Sequence, residues 1–165
     1  MTVATALLST GCTGEGAAVP LPSESDRPSA SAPNPDVEAI KHAYAQFFAI
    51  LDHADSLPVD SRKQQLAAHM TDPQLSRVLK QIEEMKTQGV TSYGKTVGYV
   101  KSVQVGDNEA VVLGCQDGSK SGLMKSHSHK KMNRGVKEEK VKAYLSKAAD
   151  GRWRVSKMVS LGEGC

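Results

Sequence analysis

One stretch of the chain matches a nucleotide-binding motif letter for letter. Gly89-Val-Thr-Ser-Tyr-Gly94-Lys95-Thr96 fits G-x-x-x-x-G-K-[ST]. In that motif backbone N–H groups cradle phosphates, the lysine reaches the terminal ones and the hydroxyl holds magnesium. The chemistry needs a strand before the loop and a helix after it, so that the helix N-terminus faces the anion. Here helix-periodic sequence precedes the motif, and strand-like sequence containing Gly98 follows it. The pattern therefore reads as a helix stop at Gly89 and a bend at Gly94. His127 and His129 flank a single serine, and two imidazoles with no carboxylate or thiolate beside them make a poor metal site. Neither a metal nor a cofactor is expected. His42, His53 and His69 fall on helical sequence among polar neighbours, while Asp52, Asp55 and Asp60 have the spacing of caps and turns. No G-x-S-x-G, H-E-x-x-H or dinucleotide fingerprint occurs.

Charge offers a second chemistry. Residues 120–147 hold nine Lys or Arg against two Glu. Lys125, Lys130, Lys131, Arg134 and Lys137 form the candidate patch for anionic lipid headgroups, wall polymers or a nucleic-acid backbone. Tyr144 is the one aromatic residue in the segment, so a stacking platform for single strands is poor and specific nucleic-acid binding is not expected. The formal net charge of +3 is too small to argue otherwise. The plainer reading is a solvated hairpin kept soluble by lysine.

The elements that position these residues follow from periodicity. After Pro35-Asp36, a helix start, Ile40, Tyr44, Phe47, Phe48 and Leu51 share one helical face. A short helix carries Leu66 and Met70. Asp72-Pro73 then reads as an N-cap followed by a proline at the first helical position. Leu75, Val78, Leu79, Ile82 and Met85 form the next apolar stripe, ended by Gly89. Beyond it the period becomes two. Thr91, Tyr93, Val97, Tyr99, Val103 and Val105 fit one long strand kinked at Gly94 and Gly98. Gly106-Asp107-Asn108 is a hairpin turn, and residues 110–115 form a second strand. Residues 116–135 read as a polar connection. Val141, Ala143 and Leu145 lie on one side of a third strand, and Asp150-Gly151 turns into a last strand carrying Trp153, Val155, Met158 and Val159. Helices followed by antiparallel strands predict an α+β fold.

The first thirty-five residues differ in kind. Residues 2–8 are a short apolar patch, Ser9-Thr10-Gly11-Cys12 follows, and a run rich in Pro, Ser, Gly and Ala leads to residue 35. That run cannot bury enough apolar surface to offset ordering entropy, so a disordered tether is expected over 12–35. An apolar stretch, a Gly-Cys junction and a Pro/Ser tether together resemble a bacterial lipoprotein signal. The resemblance implies a lipid anchor on Cys12, with residues 1–11 as part of the signal. Ser9 stands where that family has leucine, and no Lys or Arg precedes the patch; an upstream start would supply the missing basic residues.

The folded part, 36–165, resembles the nuclear transport factor 2-like family, the cone shared with ketosteroid isomerases, and within it the small secreted lipoproteins of actinobacteria. The likeness rests on Val-Val-Leu-Gly-Cys-Gln-Asp at 111–117, on Asp150-Gly151-Arg152-Trp153-Arg154-Val155, and on the Gly-Glu-Gly-Cys end at 162–165. It implies N-terminal helices packed in a curved antiparallel sheet. It also implies that the second and last strands pair near one end, which would let Cys115 and Cys165 form a disulfide. A disulfide implies an oxidising, extracytoplasmic compartment. Ketosteroid-isomerase chemistry needs a base carboxylate and an acidic hydroxyl inside the cone. Tyr44, Phe48, Tyr93, Tyr99 and Asp117 are the residues available to line such a cavity. The expected function is a non-catalytic binding or scaffolding lipoprotein, meeting the membrane through its lipid and envelope proteins or anionic polymers through its surface. A small isomerase-like or dehydratase-like enzyme using the same cavity is the alternative.

Overall fold

Helix α1 (Pro35–Leu51) begins as its sequence demands. Asn34 Oδ1 accepts the Asp36 N–H at 2.9 Å, Pro35 opens the helix, and Asp36 and Glu38 place negative charge in the first turn, where the helix dipole favours it. The computed structural model describes residues 34–165; the expected anchor Cys12 and most of the expected tether lie outside them. Asp36 also accepts from Lys147 Nζ at 2.9 Å and Trp153 Nε1 at 3.1 Å, tying the start of α1 to the far end of the sheet. These two donors hold its carboxyl below the ordinary range.

A short 3₁₀ turn (Ala54–Ser56) leads to α2 (Val59–Ala67), which buries Leu66. The buried Arg62 donates to the carbonyls of Asp55 (3.1 Å) and Leu57 (2.8 Å), satisfying the turn. Met70 is not helical. It lies in a strand-like segment whose neighbours pair with Val155 in both directions, Val155 N–H to His69 at 3.1 Å and Thr71 N–H to Val155 at 2.9 Å. Helix α3 (Gln74–Thr87) starts one residue later than its sequence suggests, with Pro73 at the cap position and Asp72 Oδ1 accepting the Ser76 N–H at 3.1 Å. Leu75, Val78, Ile82 and Met85 form its buried stripe, and Gly89 stops it at φ +62°.

The expected long strand is two strands in different sheets. β1 (Val90–Tyr93) pairs with β4 (Gly122–Lys125), and β2 (Val97–Val105) pairs with β3 (Glu109–Asp117). Gly94, at φ +78°, makes the break, and a Cβ there would collide with the Lys120 carbonyl. β4 lies inside the stretch read as a polar connection. Four residues with only two apolar side chains carry too weak an alternation to stand out. β5 (Glu139–Lys147) and β6 (Trp153–Glu163) complete the main sheet, antiparallel in the order β2-β3-β5-β6.

Alternation sorts the main sheet into two faces. Ala110, Val112, Val141, Ala143, Leu145 and Val155 face α1 and are buried. Gly98 also lies on this side. A side chain there would sit 3.0 Å from Tyr44 Cε1 and closer still to the Phe48 ring, so its lack of one lets α1 lie against β2. Cys115 points to the other face and is bonded to Cys165, with the Cα atoms 6.0 Å apart. The route differs from the expected one. β3 and β6 are not neighbours, because β5 runs between them. Gly164 donates its N–H to Glu138 at 2.9 Å, so the chain leaves β6, crosses the start of β5 on the outer side and reaches Cys115.

Candidate functional site

Between α3 and the concave face of the sheet lies an open cavity of about 320 Å³. Residues at helical spacing on α3 supply one wall: Gln74, Val78, Gln81, Ile82 and Met85. Val141 from β5 and Met158 and Ser160 from β6 supply the opposite wall. A second lobe of about 350 Å³ shares Leu51, Gln81, Ser92, Gln116, Leu123 and Met158 with the first, and extends to Phe48, Tyr93 and Glu139. The β1–β4 pair roofs this space.

Carboxylates at the cavity wall fasten the roof. Asp55 Oδ2 accepts from Thr91 Oγ1 at 2.5 Å and from the Ser92 N–H at 3.0 Å, and Oδ1 accepts from Ser92 Oγ at 2.6 Å. Burial pushes its carboxyl up, but the hydrogen bonds from Ser92 and Thr91 outweigh burial and hold it below the ordinary value of 3.8. Asp52 Oδ1 accepts the Thr96 N–H at 2.9 Å, and Gln116 Nε2 donates to Glu139. On the far side of the roof, Asn133 takes the Tyr93 hydroxyl on its backbone carbonyl (2.8 Å) and the Leu123 N–H on Oδ1 (2.7 Å). Gln74 Oε1 accepts the Met158 N–H at 3.1 Å, closing the cavity at the β6 edge.

Of the expected cavity residues, the structure brings Phe48 and Tyr93 to the wall of the second lobe. Tyr44 is 1% exposed and sits behind Phe48, edge-on to it at 5.0 Å between ring centroids. Its hydroxyl has no hydrogen-bond partner among the described residues, and burial pushes its pKa far up. Tyr99 and Asp117 lie on the opposite, outer face, in a groove beside Cys115 and Cys165. The reason is parity: both share the two-residue period of Cys115 and its register partner Tyr99, not that of Gly114 and Gly98, which face α1. Asp117 accepts the Ser119 N–H at 2.9 Å and serves the turn after β3.

The expected anionic-partner patch is divided. Lys131 and Arg134 border a shallow groove with Tyr93, and Lys131 Nζ stands 4.5 Å from the Tyr93 ring centroid. Lys125 is half-buried in β4, and its N–H donates to the Lys130 carbonyl at 3.0 Å, which puts both at the hairpin end. Lys137 lies on the outer face with Tyr99 and Lys101. His127 and His129 are exposed, and no group of three His, Cys, Asp or Glu is placed to hold a metal among the described residues. The Gly89–Thr96 stretch has α3 before it and β-structure after it, and Asp52 occupies the Thr96 N–H that an anion would need.

Sequence reasoning missed Asp55, Ser92, Gln74, Gln81, Gln116 and Glu139. Gln74 and Gln81 carried a signal, since both fall within the apolar stripe of α3. Asp55 carried none: its partners are 36 and 37 residues away.

No family model and no curated protein matches the chain. Solved structures match it by shape. The intermembrane space region of the chloroplast protein ARC6 superposes with a TM-score of 0.62 at 16% identity, over 79% of this chain and 100% of that one. A ketosteroid isomerase-like protein from Erwinia carotovora atroseptica gives 0.53 at 14% identity, covering 78% of this chain and 98% of that one. A protein from Catenulispora acidiphila gives 0.50 at 11% identity, over 76% and 90%. At these identities the likeness shows the fold, which is the α+β cone of nuclear transport factor 2-like and ketosteroid isomerase-like proteins.

Proposed function

We propose that the chain is a non-catalytic, extracytoplasmic binding protein of the actinobacterial lipoprotein type, anchored by lipid on Cys12, with the cone cavity as its ligand site. One observation carries the non-catalytic part. Asp55, one of three half-buried acids at the cavity wall, is held ionised by three hydrogen bonds to the roof, whereas a general base works best with a pKa raised towards neutrality. The other two, Asp52 and Glu139, accept from the Thr96 N–H and from Gln116 Nε2. Of the three tyrosyl hydroxyls available to an isomerase, Tyr44 stands behind Phe48 and outside both lobes, Tyr99 lies on the outer face, and Tyr93, at the wall of the second lobe, donates to the Asn133 carbonyl at 2.8 Å. The cavity wall is mostly apolar, with amide and hydroxyl groups, the Arg77 and Arg134 guanidinium groups and the hydrogen-bonded carboxylates among them, which suits a small, largely apolar ligand fixed by a few polar contacts. The Cys115–Cys165 bond supports an oxidising compartment.

Two measurements test this. Mass spectrometry of the native N-terminus is expected to find an acylated Cys12, and an unmodified Met1 or Thr2 in the mature protein refutes the anchor. A thermal-shift screen of small apolar ligands is expected to give hits that vanish in Gln81→Trp, which fills the cavity from α3. Turnover of a ketosteroid or dehydratase substrate that is lost in Asp55→Asn refutes the non-catalytic reading.

A further inference from the structure

The outer face of the main sheet carries a cluster that the cavity does not use. Tyr144 on β5 has two ammonium groups on its ring, Lys142 Nζ at 5.0 Å and Lys157 Nζ at 5.8 Å from the centroid. Lys140 precedes them by one register step on β5, and Lys101 stands at the bulge of β2 on the same side. None of these four lysines makes an ion pair among the described residues. The carboxylates of this face lie at its ends, Glu109 and the Arg154-paired Asp150 at one and Asp117 and Glu138 at the other, so the central rows hold positive charge alone. Beside the lysines stand exposed apolar side chains, Tyr99 at 52% exposure, Leu113 at 37% and Leu161 at 50%, with Val97 at 47% opposite Asp117 at the acidic end.

We propose that this face docks on an anionic phospholipid bilayer. Lysines interspersed with exposed aliphatic and tyrosyl side chains across four strands complement a broad, negatively charged surface with an apolar layer just beneath it. A single-stranded nucleic acid fits less well, because both ammonium groups already occupy the Tyr144 ring, and Tyr99 alone is no stacking platform. Docked in this way, the domain lies with its cavity, on the concave side of the same sheet, turned away from the lipid.

The test is vesicle co-sedimentation of the full chain carrying Cys12→Ser, which removes any acylation. Phosphatidylcholine vesicles are compared with vesicles that also contain phosphatidylglycerol. Binding is expected only with phosphatidylglycerol and is expected to weaken as salt rises. Each lysine near such a surface contributes about fivefold, so Lys142→Gln/Lys157→Gln should weaken binding roughly 25-fold. Lys130→Gln/Lys131→Gln, in the hairpin, should leave it unchanged. Thermal melting of each variant checks the fold, and Lys101→Gln/Lys140→Gln serves as a second pair if the first melts early. Absence of binding to phosphatidylglycerol, loss of it in the hairpin pair instead, or preference for an acidic polypeptide or an oligonucleotide over vesicles overturns the proposal.

Discussion

Removing the covalent link should destabilise the domain strongly without changing a single side chain that lines either lobe of the cavity. Cys115 and Cys165 are separated by 50 residues, and Cys165 lies beyond the last strand, held otherwise by the Gly164 N–H on Glu138. In the chain-entropy picture, closing a loop of that length stabilises the fold by about 4 kcal/mol through the unfolded ensemble. An unfolding entropy of ~2.1 cal/mol/K per residue over roughly 130 residues converts this to a fall in Tm of about 15 °C. The assay is thermal unfolding of Cys115→Ala/Cys165→Ala beside the wild type, with and without a thiol reductant. The variant and the reduced wild type should melt together, the oxidised wild type well above both, and reductant should not move the variant. Hydrogen exchange should report lost protection at Gly164, while the amides of Ser92 and Thr96, held by Asp55 and Asp52, keep theirs. A reductant-induced shift of only a degree or two, or non-reducing peptide mapping without a Cys115–Cys165 cross-link, refutes the reasoning.

Acid should loosen the roof of the cavity. The folded pKa of Asp55 lies below its unfolded value of 3.8, so the unfolded chain binds the extra proton first. The stability from its hydrogen bonds is therefore complete well above pH 3.8 and is lost as pH falls through the lower, folded pKa. Urea unfolding at neutral pH and below pH 3.8 should show this loss, and Asp55→Asn should flatten the dependence; an unchanged slope in Asp55→Asn contradicts it. Tyr44→Phe removes a buried hydroxyl with no partner among the described residues and should be neutral or stabilising by up to about 1–3 kcal/mol. Destabilisation, or loss of ligand binding in Tyr44→Phe, shows that the hydroxyl does have a partner in the working protein.

The helices were legible because each carries its own signals. Asn34, Pro35 and the acidic first turn mark where α1 begins, and Ile40, Tyr44, Phe47 and Phe48 mark what it buries. Strands β3, β5 and β6 were legible from alternation. The split between β1 and β2 was not. It depends on Gly94 meeting the Lys120 carbonyl from a distant loop, and β4 has too few apolar residues to announce itself. The candidate site was the least legible part. Its carboxylates looked like turn residues because they are also that: Asp52 and Asp55 follow α1 and cap the roof through partners some forty residues on. Tyr99 and Asp117 looked like cavity residues because type alone does not say which face of a strand a side chain takes.

That last point bears on both proposed surfaces at once. On β3, Cys115 and Gln116 are consecutive; one joins the outer-face disulfide and the other lines the cavity. Lys140 and Val141 divide β5 in the same way, as do Tyr144 and Leu145. A slip of β5 by one residue would put Lys140, Lys142 and Tyr144 against α1 and expose Val141, Ala143 and Leu145, so the register that builds the cavity also builds the lysine-rich face. The pairing of β5 is fixed on one side by the β3 ladder and on the other by β6, whose end is bonded across it to Cys115. The disulfide therefore does more than shorten the unfolded chain: it clamps β5 from both flanks at the end where Glu139 meets Gln116 at the cavity wall and Lys140 opens the outer face.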